Sequence, residues 1–128
     1  MTNSTWIDIP AKDIRKWISE LLDSGKFKLL STLTGYQDGS NICILYHFHT
    51  SDGAVNVRVT LPLADPKMIS VTPILPGAVL YEREIQDLLG VVFEDLSDPR
   101  RFVLPEQWPQ GVYPLRKDFK TPKEEQYK

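Results

Sequence analysis

The densest concentration of reactive side chains is Tyr81-Glu82-Arg83-Glu84-Ile85-Gln86-Asp87. On a helical wheel Glu82 and Glu84 flank an apolar stripe on opposite shoulders, while Arg83 and Asp87, four residues apart, lie together on the far face. Two acids beside a buried stripe could serve as general acid and general base, one carboxyl held protonated and the other ionised. The same pattern has a structural reading. Helix shoulders are commonly acidic, a first helical turn favours acids through its dipole, and Arg83 with Asp87 makes a solvated ion pair. The pattern favours structural or docking charges, and no catalytic residue is assigned.

His47 and His49 stand two apart on a predicted strand and project from one face with Cys43 and Leu45, so they could share a metal. No third ligand is evident nearby, and Ile42, Ile44, Tyr46 and Phe48 make the opposite alternation the core face. The expectation is an exposed histidine pair and no metal site. Cys43, the single cysteine, has no paired base in sequence that would activate it as a nucleophile. It also excludes an intrachain disulfide and any cluster held by cysteines of this chain alone. No Gly-rich phosphate loop, nucleophile elbow or metal-ligand series appears, so no catalytic site is expected on this chain alone.

A third set lies near the C-terminus, where Arg100, Arg101, Arg116, Lys117, Lys120 and Lys123 interleave with Phe102, Trp108, Tyr113 and Phe119. Cations alternating with aromatics can contact phosphates and stack on bases, which makes a nucleic-acid-binding module the alternative reading. Glu106, Asp118, Glu124 and Glu125 are interspersed among them, and no named nucleic-acid motif is present. Fifteen basic against seventeen acidic residues give no global field for attracting a polyanion. Nucleic acid is therefore not the expected partner.

These groups need a scaffold. The chain has 128 residues, 41% hydrophobic and 25% charged, the proportions of one soluble domain. Ile14, Trp17, Ile18, Leu21 and Leu22 share one helical face, predicting a helix over 10–24, with Pro10 in the opening turn and Gly25 just past the end. From Phe27 to Leu75 the period changes to two, with turn signals at 37–40 and 50–53, so three strands follow directly. A fourth extended segment, 68–75, contains Pro73 and reads as an edge strand or irregular run. Tyr81, Ile85, Leu88, Leu89 and Val92 set a second helix after Pro76-Gly77-Ala78, with Gly90 near its end. Five of the ten prolines then fall between Pro99 and Pro122, which prevents a helix or central strand there. The sequence predicts an α+β fold: a two-layer domain with an antiparallel or mixed sheet of three to five strands packed against helices. It assigns 1–93 to the core and 94–128 to an extended C-terminal arm whose apolar side chains need a surface to cover. The first six residues lack the regions of a signal peptide, and no apolar run approaches the ~18 residues that span a bilayer, so a water-facing, cytosolic protein is expected.

Glu82-Arg83-Glu84-Ile85-Gln86-Asp87-Leu88-Leu89-Gly90-Val91-Val92-Phe93 resembles the signature of the thirty-kilodalton subunit family of respiratory complex I. Tyr113-Pro114-Leu115-Arg116-Lys117-Asp118-Phe119 resembles that family's closing motif, Trp108 sits where the family often carries an aromatic, and Ile69–Ala78 resembles its lead-in. The family is shared by NADH–quinone oxidoreductases, deazaflavin-linked enzymes and energy-converting nickel–iron hydrogenases. Many members carry a Gly-His pair after the signature Phe, where this chain has Glu94-Asp95-Leu96; that and the short length point towards the compact hydrogenase subunits.

The resemblance implies a non-redox structural or assembly subunit of a membrane-attached, ion-translocating oxidoreductase, without cofactor or catalytic site. It implies docking on a hydrogenase-like large subunit beside an iron–sulfur small subunit. The complex would sit peripherally on the cytoplasmic face of the cell membrane, and the chain would contact the membrane only through it. Carried over, the docking residues are Glu82, Arg83, Glu84 and Asp87 from the first motif and Pro114, Leu115, Arg116, Lys117 and Asp118 from the second, with Arg101 and Trp108 between them. Arg116 offers a planar fork for a partner carboxylate. The exposed apolar arm also favours self-association of the isolated chain.

Overall fold

The computed structural model describes residues 4–105 and 107–120. Strand β1 (Ser4–Asp8) leads through a 3-10 turn (Ala11–Asp13) into helix α1 (Ile14–Asp23). Strands β2 (Phe27–Asp38), β3 (Asn41–Thr50) and β4 (Gly53–Pro62) follow as two hairpins. A short strand β5 (Lys67–Ile69), a second 3-10 turn (Pro76–Ala78), helix α2 (Val79–Leu89) and a short strand β6 (Val92–Glu94) complete the regular elements. Beyond β6 the described residues run without helix or strand, as the prolines require.

The main sheet has the order β1-β4-β3-β2 and is mixed, because β1 pairs with β4 in parallel while the other neighbours are antiparallel. Both helices cover one face. Ile14 and Ile18 from α1 and Ile85 and Leu89 from α2 join Ile42, Ile44, Tyr46, Phe48, Val57 and Val59 in a single buried core. The expected α+β architecture and the core alternation of β3 are both present.

Three details differ from the sequence reading. The first helix begins at Ile14, because Pro10 is extended (ψ 143°) and the chain turns once as 3-10 before the α-helix starts. Strand β1 is an addition: only Ile7 and Ile9 hint at alternation, and its pairing depends on the distant β4. The segment 68–75 yields only the strand β5, paired in parallel with β6, so the arm boundary set at 93/94 falls inside β6. Gly25 (φ +74°) and Gly90 (φ +76°) follow α1 and α2 in the left-handed conformation that terminates helices.

Candidate functional site

The charged signature occupies α2, and its side chains point in three directions. Glu82 is fully buried, contrary to a shoulder position. The segment 70–72 crosses that side of the helix. The Ser70 hydroxyl donates to Glu82 Oε1 at 2.6 Å, and the Val71 N–H donates to Oε2 at 2.9 Å. Ser70 Oγ also lies 2.7 Å from Thr72 Oγ1, and the Ser70 carbonyl accepts the Arg15 Nε–H at 2.6 Å. A buried carboxyl is tolerable only with its oxygens engaged, and here both are. Burial pushes the Glu82 carboxyl above its ordinary range, opposed by the Ser70 and Val71 bonds and by the charge of Arg15. Burial, and secondarily the charge of Glu82, pushes the Tyr46 phenol well up; its hydroxyl faces Met68 Sδ at 3.6 Å.

Arg83 and Asp87 do not form the expected solvated pair, because the arm folds across that side of α2 and separates their tasks. Arg83 lies 3.2 Å from Asp98, donates to the carbonyls of Arg100 and Arg101 at 2.8 and 2.9 Å, and stands 5.3 Å over the Phe102 ring. Asp87 is buried, and its Oδ2 accepts the successive N–H groups of Phe102, Val103 and Leu104 at 2.8, 2.9 and 3.2 Å. Converging amides on a carboxylate are a strong, charge-assisted anchor. Gln86 adds a bond to the Pro99 carbonyl at 2.8 Å. Asp98 also binds Arg100, and that hydrogen bond, with the nearby charges, holds its carboxyl well below the usual range. Only Glu84 among these acids is exposed, although the wheel places it on a shoulder like Glu82 and assigns the far face to Asp87.

The second motif returns to the end of α2. The last carbonyls of a helix have no partner within it. The Leu115 N–H reaches the Leu88 carbonyl at 2.9 Å, and Arg116 Nε–H reaches the Leu89 carbonyl at 2.8 Å, which puts a cation at the negative end of the helix dipole. The Arg116 guanidinium lies 4.7 Å over the Tyr113 ring, and a Cβ at Gly90 would overlap that ring. The Arg116 fork is thus partly engaged within the chain. Arg101 donates to the carbonyls of Pro105 and Trp108, and Trp108 stacks on Phe119 at 6.3 Å. The Lys117 N–H donates to Gln37 Oε1 at 2.8 Å; the Lys117 and Asp118 side chains are exposed and Pro114 is half-buried.

Residues 7–125 match the family described as Respiratory-chain NADH dehydrogenase, 30 Kd subunit. The chain belongs to that family. An NADH-quinone oxidoreductase subunit from Moorella thermoacetica is 33% identical over 116 residues, 88% of this chain and 77% of that one. Hydrogenase-4 component G of Escherichia coli is 55% identical over 78 residues, 58% of this chain but only 14% of that relative's length. Among solved structures, a chain of the membrane-bound sulfane sulfur reductase, an archaeal respiratory membrane complex, superposes with a TM-score of 0.74 at 26% identity, covering 92% of this chain and 73% of that one. The relatives are therefore subunits of respiratory and hydrogenase complexes, and no helix among the described residues is long and apolar enough to cross a membrane.

In this 30 kDa-family chain the other candidates separate from the α2 site. His47 and His49 project from the sheet face opposite the helices. His47 is held by Asn56 Oδ1 at 2.7 Å on Nδ1 and by Thr34 Oγ1 at 3.0 Å on Nε2, while His49 is exposed. No group of three His, Cys, Asp or Glu side chains suited to a metal occurs among the described residues. Cys43 is buried, with Sγ 3.8 Å from Thr60 Oγ1. Glu106, Lys123, Glu124 and Glu125 lie outside the described residues. Sequence reasoning misses Ser70, Thr72, Arg15 and Gln86; the polar run at 70–72 beside an acid-bearing helix is the available signal.

Proposed function

We propose that this chain is a non-redox assembly subunit of a membrane-attached, ion-translocating oxidoreductase. It docks on a hydrogenase-like large subunit, beside an iron–sulfur small subunit, through the surface where the arm lies on α2. The complex sits on the cytoplasmic face of the membrane, and this chain meets the membrane only through its partners. The observation that carries the reading is an arm anchored by Asp87, Arg83 and the end of α2 that still leaves Phe102, Val103 and Leu115 44%, 48% and 52% exposed. Apolar side chains displayed on a fixed backbone are the economical form of an interface, since little conformational freedom remains to be lost on binding. Family membership supports it, as does the hydrogenase-4 relative, in which the matching stretch is a small part of a longer polypeptide.

The roles of the named residues divide accordingly. Glu82 fixes the segment 70–72 against α2, and Asp87, Arg83, Arg101 and Arg116 position the arm, while Glu84, Leu115, Lys117 and Asp118 present side chains outward, with Trp108 and Pro114 shaping the backbone between them. The test is co-purification from native membranes of chains carrying Arg116→Ala or truncated before Pro114. Retention of the large subunit should fall about tenfold or more, equivalent to losing ~1.4 kcal/mol of binding, with the domain still folded by circular dichroism. Normal assembly with the arm removed contradicts the proposal.

A further inference from the structure

Among the described residues β2 is an end strand of the main sheet, bonded to β3 on one side only. The Gly39-Ser40 turn pairs Asp38 with Asn41, and in a two-residue hairpin that flanking pair exchanges ladder hydrogen bonds. Counting back by twos, Tyr36, Thr34 and Thr32 face β3, whereas Gln37, Gly35 and Leu33 direct N–H and C=O away from the sheet. Ser31, the extra residue at the register break before Thr32, has its carbonyl occupied by the Tyr81 hydroxyl at 2.9 Å.

Edge strands are normally blunted by proline, lysine or bulges. Between Thr32 and Asp38 there is none of these, and both register breaks of β2 lie before Thr32. This bare stretch opens onto a groove of about 280 Å3 between β2 and α2, lined by Gly35, Ile85, Leu88 and Leu115, with Glu84 among its walls. Gly35 has no room for a side chain, because a Cβ would come within 2.6 Å of Leu89 Cδ1, so α2 packs directly against the strand on that face. Glu84 makes no ion pair among the described residues.

We infer that an extended segment of a partner subunit adds to β2 as a fifth strand, bonded to the outward backbone groups of Leu33, Gly35 and Gln37. Main-chain bonding supplies the affinity and the groove supplies the selection. Small or apolar side chains at alternate positions of the incoming strand enter the groove, and a lysine or arginine faces Glu84. The groove is continuous with the arm surface through Leu115, and the inference rests on the subunit role proposed above.

The experiment is residue-resolved hydrogen–deuterium exchange on the full chain, alone and in the complex purified from native membranes. Amides of Leu33, Gly35 and Gln37 should exchange at least about tenfold more slowly in the complex, while Thr32, Thr34 and Tyr36 stay slow in both. Gln37→Pro, which removes one outward donor at a position an edge strand tolerates, should weaken assembly. Gln37→Ala, which keeps that donor but loses the bond to Lys117, should not. A complex that forms with all three amides still fast overturns the added strand and leaves the subunit role standing. Recovery of the chain without partners overturns the subunit role and the strand with it. Protection appearing in the isolated chain as its concentration rises assigns the edge to a second copy, against the inference.

Discussion

Helices α1 and α2 lie on the same face of the same sheet, and each carries four charged residues, yet they use them in opposite ways. On α1, Lys16, Glu20 and Asp23 are exposed, and among the described residues only Arg15 of these four bonds to another segment. On α2, Glu82 and Asp87 are buried, Arg83 is half-buried, and Glu84 alone faces outward. The helices differ in what covers them. Solvent bounds the outer side of α1, whereas the segment 70–72 and the arm enclose α2 from two sides and present N–H donors to its carboxylates. An identical charge count therefore gives a solvated face in one helix and a set of internal fasteners in the other.

That contrast can be broken most forcefully at Glu82. Glu82→Leu strands the Val71 N–H in the core and leaves the Ser70 hydroxyl only Thr72 Oγ1 to donate to, and should cost about 3 kcal/mol, read as a lower midpoint in urea unfolding. Asp87→Asn should cost about 1–2 kcal/mol because three amides lose a charged acceptor. Its effect should be local, with faster amide exchange at residues 102–104 and little change in β3. A subtler effect is pH dependence. The Glu82 carboxyl titrates higher when folded than when unfolded, so the native state holds this proton more tightly. Its contribution is greatest below the unfolded value of about 4.3 and declines as pH rises through the folded value, by at most ~1.4 kcal/mol per pH unit. Urea midpoints measured at successive pH values should show that decline, and Glu82→Gln should remove it. On α1, Glu20→Ala should change stability by no more than about 0.5 kcal/mol, which thermal unfolding can check.

The same contrast explains what is legible in the sequence. The stripes Ile14-Trp17-Ile18 and Ile85-Leu88-Leu89 and the alternation of β3 and β4 are local patterns with a fixed period, so the α+β class and hairpin positions can be read directly. β1 cannot, because five residues with two apolar side chains among them and their neighbour Ile9 become a strand only against β4. Glu82 and Asp87 stand out in the sequence but read as solvated, since a helical wheel knows nothing of residues 70–72 or 102–104. Their burial is set by tertiary contacts spanning 11 to 17 positions. Arg116 reads as a fork for a partner, and its local task at the end of α2 is hidden because that helix ends 27 residues earlier in the chain.

The role proposed for the fastened arm is to hold this chain against a larger complex. It is tested most directly by purifying the chain from its native membranes under mild detergent and identifying what accompanies it. A hydrogenase-like large subunit and an iron–sulfur small subunit should accompany it in fixed proportion, together with membrane subunits. Recovery of the chain alone, or with nuclease-sensitive material, contradicts that role.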